Sequence, residues 1–342
     1  MLRASLATVS AIIISFSGTA GAESAEQYFA GKTVRVVIGT PMGGEYGLYA
    51  QLISRHIGRF LPGNPTVIVQ SMPGAAGVTA LRYIANTASR DGTEIIIPQV
   101  NIVQEGLLNP NAQFDPRKFQ WIGRLTTQVQ AGVVSAKSKA RSLADAKTRE
   151  LVAGGYGTTN PTTLNPRILN ALAGTKFKIV GGYKGTADVM IAWERGEVDV
   201  LTISWDSLIA RYANDVMRVA IPIYLNAVKA PPELAHVPLI ADFGRNNSEK
   251  AFLQIYSIGA GIGRSLAAPP DVPKERLGMW RVALTKMLDD SEFKAAVRKA
   301  NIRIEPLEGE ALAESVAKVL TLPAETVAEA RKFYNSLLAD VR

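Results

Sequence analysis

The sequence predicts an α/β protein made of two doubly wound units in series. Three observations carry that reading. Short runs rich in Val and Ile alternate with segments of helical periodicity, glycine-rich turns stand at the junctions, and the pattern restarts near residue 140. Parallel strands buried on both faces read as unbroken apolar runs, and the crossovers between them are helices.

The elements follow in order. Val34–Ile38 reads as a buried strand, and Leu48, Leu52, Ile53, Ile57 and Phe60 then recur at helical spacing. "FLPGNP" breaks the chain before a strand at Thr66–Val69, a glycine turn and a helix over Val78–Ala88. "RDGT" leads into a third strand, Glu94–Ile97. After the restart come a helix over Ala140–Arg149, a strand at Glu150–Ala153, a helix over Leu164–Ala173 and a strand at Phe177–Val180. A helix over Val189–Arg195 and a strand at Val198–Leu201 close the second unit. Beyond a Pro-punctuated connector near Pro231, helices are predicted over Lys274–Leu288, Ser291–Ala300, Gly309–Leu320 and Ala324–Leu338.

Met1–Ala22 has a basic start at Arg3, an apolar stretch through Ile12, Ile13, Ile14 and Phe16, and a small-residue end, Ala20-Gly21-Ala22. That is the layout of a secretory signal peptide, with cleavage expected before Glu23 and a periplasmic mature protein. No cysteine is present, which excludes thiol catalysis and Cys-based metal sites. His56 and His236 are the two histidines, too few for a multi-histidine centre, so no metal or cofactor is expected. His56 reads as a partly buried packing residue and His236 as a solvated one. The net charge of +8 is scattered, without the basic stripe of a nucleic-acid binder, and implies a mild attraction for anions.

Four glycine-rich turns stand at strand carboxyl ends: "TPMGGEYG", "SMPGAAG", "GGYGTTNPTT" and "GGYKGTAD". In open α/β sheets ligands bind there, where helix N-termini offer free N–H groups and a favourable dipole for anions. Gly39 and Gly44 have the spacing of a phosphate loop, but Glu45 stands where that loop needs Lys. No G-x-G-x-x-G follows the first strand and no G-x-S-x-G elbow occurs. "IGAGIG" (Ile258 to Gly263) reads as packing or a bend. Trp205-Asp206, after a strand, reads equally as a cleft position or a buried corner. Gly74 and Gly77 are expected to let an anion sit against bare backbone.

The glycine-rich loop after the first strand, "QSMPGAAG", the turn Asp91-Gly92-Thr93, "GYKGTADVMIAWERGEVDV" and "PELAHVPLIADFG" together resemble one family. The chain looks like the Bug-type extracytoplasmic solute receptors, the binding components of tripartite tricarboxylate transporters, from about Gly31 to Tyr334. The resemblance implies a class II periplasmic-binding-protein fold: two α/β domains, a ligand cleft between them and two hinge crossings. Domain 1 would comprise 23–125 and 225–342, and domain 2 would comprise 126–224. It also implies a non-enzymatic, monomeric receptor that delivers a small organic acid to the membrane subunits of such a transporter. A sensory receptor and a periplasmic enzyme of similar fold are the rival readings.

The ligand contacts implied are Pro41, Met42, Gly43 and Gly44, then Met72, Pro73, Gly74, Ala75, Ala76 and Gly77, from domain 1. From domain 2 come Tyr156, Gly157, Thr158, Thr159 and Asn160, then Tyr183, Lys184, Gly185 and Thr186, with Asp206 from the following strand end. Two positions depart from the family pattern. Gly47 stands where Asp is usual and Gln51 where Arg is common, which argues against an amino-acid ligand.

Overall fold

The computed structural model describes residues 27–339, so the predicted signal peptide lies outside the described residues. The first strands and helices are β1 (Thr33–Ile38), α1 (Glu45–His56), β2 (Thr66–Ser71), α2 (Val78–Asn86), β3 (Glu94–Ile97), α3 (Ile102–Leu108) and β4 (Gln120–Thr126). Next come β5 (Gln130–Ser135), α4 (Asp145–Thr148), β6 (Leu151–Gly154), α5 (Pro161–Ala173), β7 (Phe177–Val180) and α6 (Thr186–Glu194). They continue with β8 (Val200–Ser204), α7 (Trp205–Tyr212), α8 (Val216–Val219), β9 (Ala220–Asn226), α9 (Asn247–Ile262) and β10 (Arg264–Ala268). The chain finishes with α10 (Lys274–Asp289), α11 (Ser291–Lys299), β11 (Leu307–Glu308), α12 (Gly309–Leu320) and α13 (Ala324–Ala339).

Two sheets result, ordered β11-β4-β10-β3-β1-β2 and β7-β6-β8-β5-β9. In each, three parallel strands continue into antiparallel ones: β2-β1-β3 meets β10, and β7-β6-β8 meets β5. The chain passes from the first sheet to the second between β4 and β5 and returns after β9. Alternation along β1 explains the layering. Val34, Val36 and Ile38 face a core shared with α1, α10 and α11, while Val37 faces the opposite core with α2, α3 and α9. That second core runs on through α13 and α5 to the far sheet, so the two sheets share buried packing.

Several sequence expectations change. Only Asp145–Thr148 of the predicted helix 140–149 is helical. Before it, Ser138 Oγ accepts from Ala140 N and Asp145 Oδ2 accepts from Arg141 N and Ser142 N, so side chains take the N–H groups a helix would use. The helix predicted from Leu164 starts at Pro161, because Asn160 caps it by accepting from Thr162 N. The strand predicted at Val198–Leu201 runs instead from Val200 to Ser204. "IGAGIG" forms the end of α9. Gly259 packs on the Val100 carbonyl, which lies 2.2 Å from where its Cβ would stand, and Gly263 leaves the helix at φ +53°. No described helix is long and apolar enough to cross a membrane.

Candidate functional site

The loop after β1 runs through Pro41, Met42, Gly43 and Gly44, and Gly44 is the N-cap of α1 without a side-chain cap. Met42 bends back over the first turn. A Cβ on Gly47 would stand 1.9 Å from the Met42 carbonyl oxygen, so a larger residue there has no room unless the loop moves. Gln51 accepts from the exposed Arg55. Glu45 turns inward and binds Arg264 Nη2 at 2.8 Å. Arg264 is 1% exposed and lies 4.0 Å over the Tyr46 ring. Burial alone would lower its pKa, but the Glu45 carboxylate holds it above the ordinary value. Burial pushes the Tyr46 phenol up, and its hydroxyl accepts from Val100 N at 3.2 Å.

The loop after β2 is more constrained. Met72 N bonds the Ile38 carbonyl, and the exposed Pro73 follows. Gly74, Ala75, Ala76 and Gly77 then all have positive φ, at 142°, 46°, 54° and 91°. The two alanines pay strain of about 1 kcal/mol or more each for that geometry. The turn is held by Gly77 N to the Gly74 carbonyl and by Asn101 Nδ2 to the Ala76 carbonyl, and it ends as the N-cap of α2. One expectation needs correcting. Gly77 does not present bare backbone, because a Cβ there would lie 2.2 Å from Gln99 Cγ. Gln99 covers it, and its buried Nε2 has no hydrogen-bond partner among the described residues.

In the second sheet, Tyr156, Gly157, Thr158, Thr159 and Asn160 link β6 to α5. Thr162 Oγ1 accepts from Tyr156 N and donates to Asn160 Oδ1. Tyr156 Oη accepts from Thr186 Oγ1 at 3.2 Å, which joins this loop to Tyr183, Lys184, Gly185 and Thr186 before α6. Lys184 is exposed, and its backbone N–H is tied to Asp188. A groove of about 720 Å³ passes outside this loop, lined by Gly155, Gly157, Thr158, Arg167, Phe177 and Gly182.

The loops of the two sheets meet. A Cβ on Gly157 would stand 3.7 Å from that of Ala76. Ser207 Oγ, on α7, donates to Glu45 at 3.3 Å. Asp206 beside it is 8% exposed, and Arg303 Nη2 lies 3.9 Å away. Burial raises the Asp206 pKa foremost, against the opposing pull of Arg303. Trp205 is a buried corner, with its Nε1 donating to Glu233.

The structure thus brings together the loops at residues 74–77, 156–157 and 186, with Asp206 set among charges. Arg264, Arg303, Gln99 and Asn101 were not singled out from the sequence. None sits in a motif, and only distant pairing gives them a role. His56, Asp290 and Glu292 are grouped closely, but the Arg59 guanidinium bonds all three and fills the place of a cation. His56 stacks edge-on against Phe293, and His236 is exposed.

Two α/β sheets joined by two crossings, with glycine-rich strand ends facing each other, define a two-lobed solute-binding protein. Residues 60–320 match the tripartite tricarboxylate transporter family receptor, and the chain belongs to that family, whose members are receptors rather than enzymes. Solved structures agree on the fold. A TctC solute-binding protein from Polaromonas, without ligand, is 18% identical with a TM-score of 0.61, covering 90% of this chain and 98% of that one. An R. palustris protein with adipate is 19% identical with a TM-score of 0.65, covering 88% and 97%. MatC from Rhodopseudomonas palustris with bound malate is 18% identical with a TM-score of 0.62, covering 86% and 98%. No curated protein sequence matches the chain.

Proposed function

We propose that the chain is a periplasmic receptor that closes two lobes on a small organic acid and delivers it to the membrane subunits of a tripartite tricarboxylate transporter. The lobes are 23–125 with 225–342, and 126–224, and the mature monomer begins at Glu23. One observation carries the reading: the strained turn Gly74–Gly77 stands at the N-terminus of α2, against the Gly157 loop of the other sheet. Strain of this kind persists where a ligand needs the backbone pre-arranged, and a helix N-terminus favours a carboxylate. The unpartnered Gln99 amide beside Gly77 supplies a further donor. The loops at 41–44, 72–77, 156–160 and 183–186, with Asp206, form the cradle. Similar proteins solved with adipate and malate support a dicarboxylate-sized solute.

The test is a thermal-shift and calorimetry screen of succinate, malate, adipate, citrate and monocarboxylates, in one sodium buffer throughout. At ~100 times the dissociation constant a true ligand stabilises the fold by about 2.7 kcal/mol. A sugar or an amine that raises the melting temperature while no acid does overturns the reading. Loss of uptake of the bound acid on gene deletion tests delivery.

A further inference from the structure

At the junction of the two sheets lies a cavity of about 10 Å³, lined by Asn101, Gln104, Gln128, Gln130, Asn226 and Tyr256 among others. These side chains come from α3, the two crossing segments and α9. Four buried amide oxygens among them have no hydrogen-bond partner among the described residues: Asn101 Oδ1, Gln104 Oε1, Gln130 Oε1 and Asn226 Oδ1. Asn101, Gln104 and Asn226 are 5%, 2% and 7% exposed, so bulk water does not satisfy them.

The amide orientations are fixed by their other ends. Asn101 Nδ2 donates to the Ala76 carbonyl. Gln104 Nε2 donates to Tyr334 Oη, and that hydroxyl donates to Glu105. Tyr256, which lines the cavity with Asn226, donates its own hydroxyl hydrogen to Asn165. In Asn101 and Gln104 the nitrogen is engaged elsewhere, and the oxygen is left without a partner among the described residues.

We propose that this cavity binds a sodium-sized monovalent cation. The volume admits one water-sized occupant. A water has two hydrogens and would satisfy two of the four acceptors, whereas a hard cation takes several oxygens at once. Among the described residues no carboxylate lines the cavity, which argues against a divalent ion, because buried charge requires a matching partner. One charge does have a counterpart. Glu105 is 1% exposed, forms no salt bridge with a described residue, and reaches the cavity through Tyr334 and the Gln104 amide. The ion ties α3 to both crossing segments, and thereby stiffens the place where the lobes pivot.

The test needs no organic ligand, so its result is independent of the acid screen. The purified chain is dialysed into choline chloride, then melted in choline, sodium, potassium or calcium chloride at equal ionic strength. Sodium is expected to raise the melting temperature by several degrees over choline, saturably. Gln104→Met should fold in choline and lose that increment. Sodium-23 line broadening by the parent chain, reversed by competing ion, gives a readout that needs no variant. Identical melting in all four salts, a response to calcium alone, an undiminished sodium response in Gln104→Met, or an unbroadened sodium line would each overturn the proposal.

Discussion

Ala76 and Gly157 belong to loops of different sheets, yet a methyl on Gly157 would touch the Ala76 side chain at 3.7 Å. The contact joins a left-handed alanine in a strained turn to a glycine at φ +65°. The turn before α2 is thus approached from the second sheet at Gly157, where a glycine carries no side chain.

Gly77→Val should destabilise the chain by ~1–3 kcal/mol, since it forces a branched residue into φ +91° and into Gln99. Urea unfolding measures this, with Lys299→Ala as a surface control expected within ±0.5 kcal/mol of the parent. Acid binding should fall with it, because displacing Gln99 moves the unpartnered amide. Parent-like affinity in a folded Gly77→Val chain would remove this loop from the site.

Gly47→Asp should harm this chain. Its Cβ would stand 1.9 Å from the Met42 carbonyl, so the loop at 41–44 must move. Overpacking against backbone of this kind costs about 3 kcal/mol. The midpoint of denaturant unfolding should fall accordingly, and parent-like stability would show that the loop has another path.

Glu45→Gln leaves Arg264 buried with its charge unmatched, 2.8 Å from a neutral amide. Breaking a buried pair from one side costs roughly 3–5 kcal/mol, and the partial exposure of Glu45 places this one near the lower end. Replacing both members, by Glu45→Gln with Arg264→Met, should recover part of the loss. A double variant no better than Glu45→Gln alone would contradict a charge-burial origin.

Asp206 has a raised folded-state pKa. Its protonated form is thus favoured by folding, and the associated stability is present below the unfolded-state value of ~3.9 and lost as pH rises through the folded one. Asp206→Asn should accordingly melt higher than the parent at pH 7, and the difference should shrink as pH falls toward 4. A gain that persists unchanged at pH 4 would rule out the carboxylate charge as its source.

The α/β alternation, the glycine turns and the C-terminal helices were legible because period and turn chemistry are local. Gly309–Leu320 is found with its predicted bounds, and Ala324 is found as predicted to start the last helix. The segments β4, β5, β9, α9 and β10 were not read. Strands such as Gln130–Ser135 owe their state to partners distant in sequence, Val200–Ser204 and Ala220–Asn226. Within the candidate site, loops announced themselves by glycine, whereas Arg264 and Gln99 did not. Their environment is assembled from strands and helices far away along the chain.

β10 lies between β3 and β4, although nearly half the chain separates it from β3. During synthesis the N-terminal strands therefore wait, with an unpaired edge, until Arg264–Ala268 arrives. The sheet of β5–β9 is continuous in sequence and complete well before that. The six-stranded sheet is thus the last to be finished, and until then its open edge is free to pair with other chains.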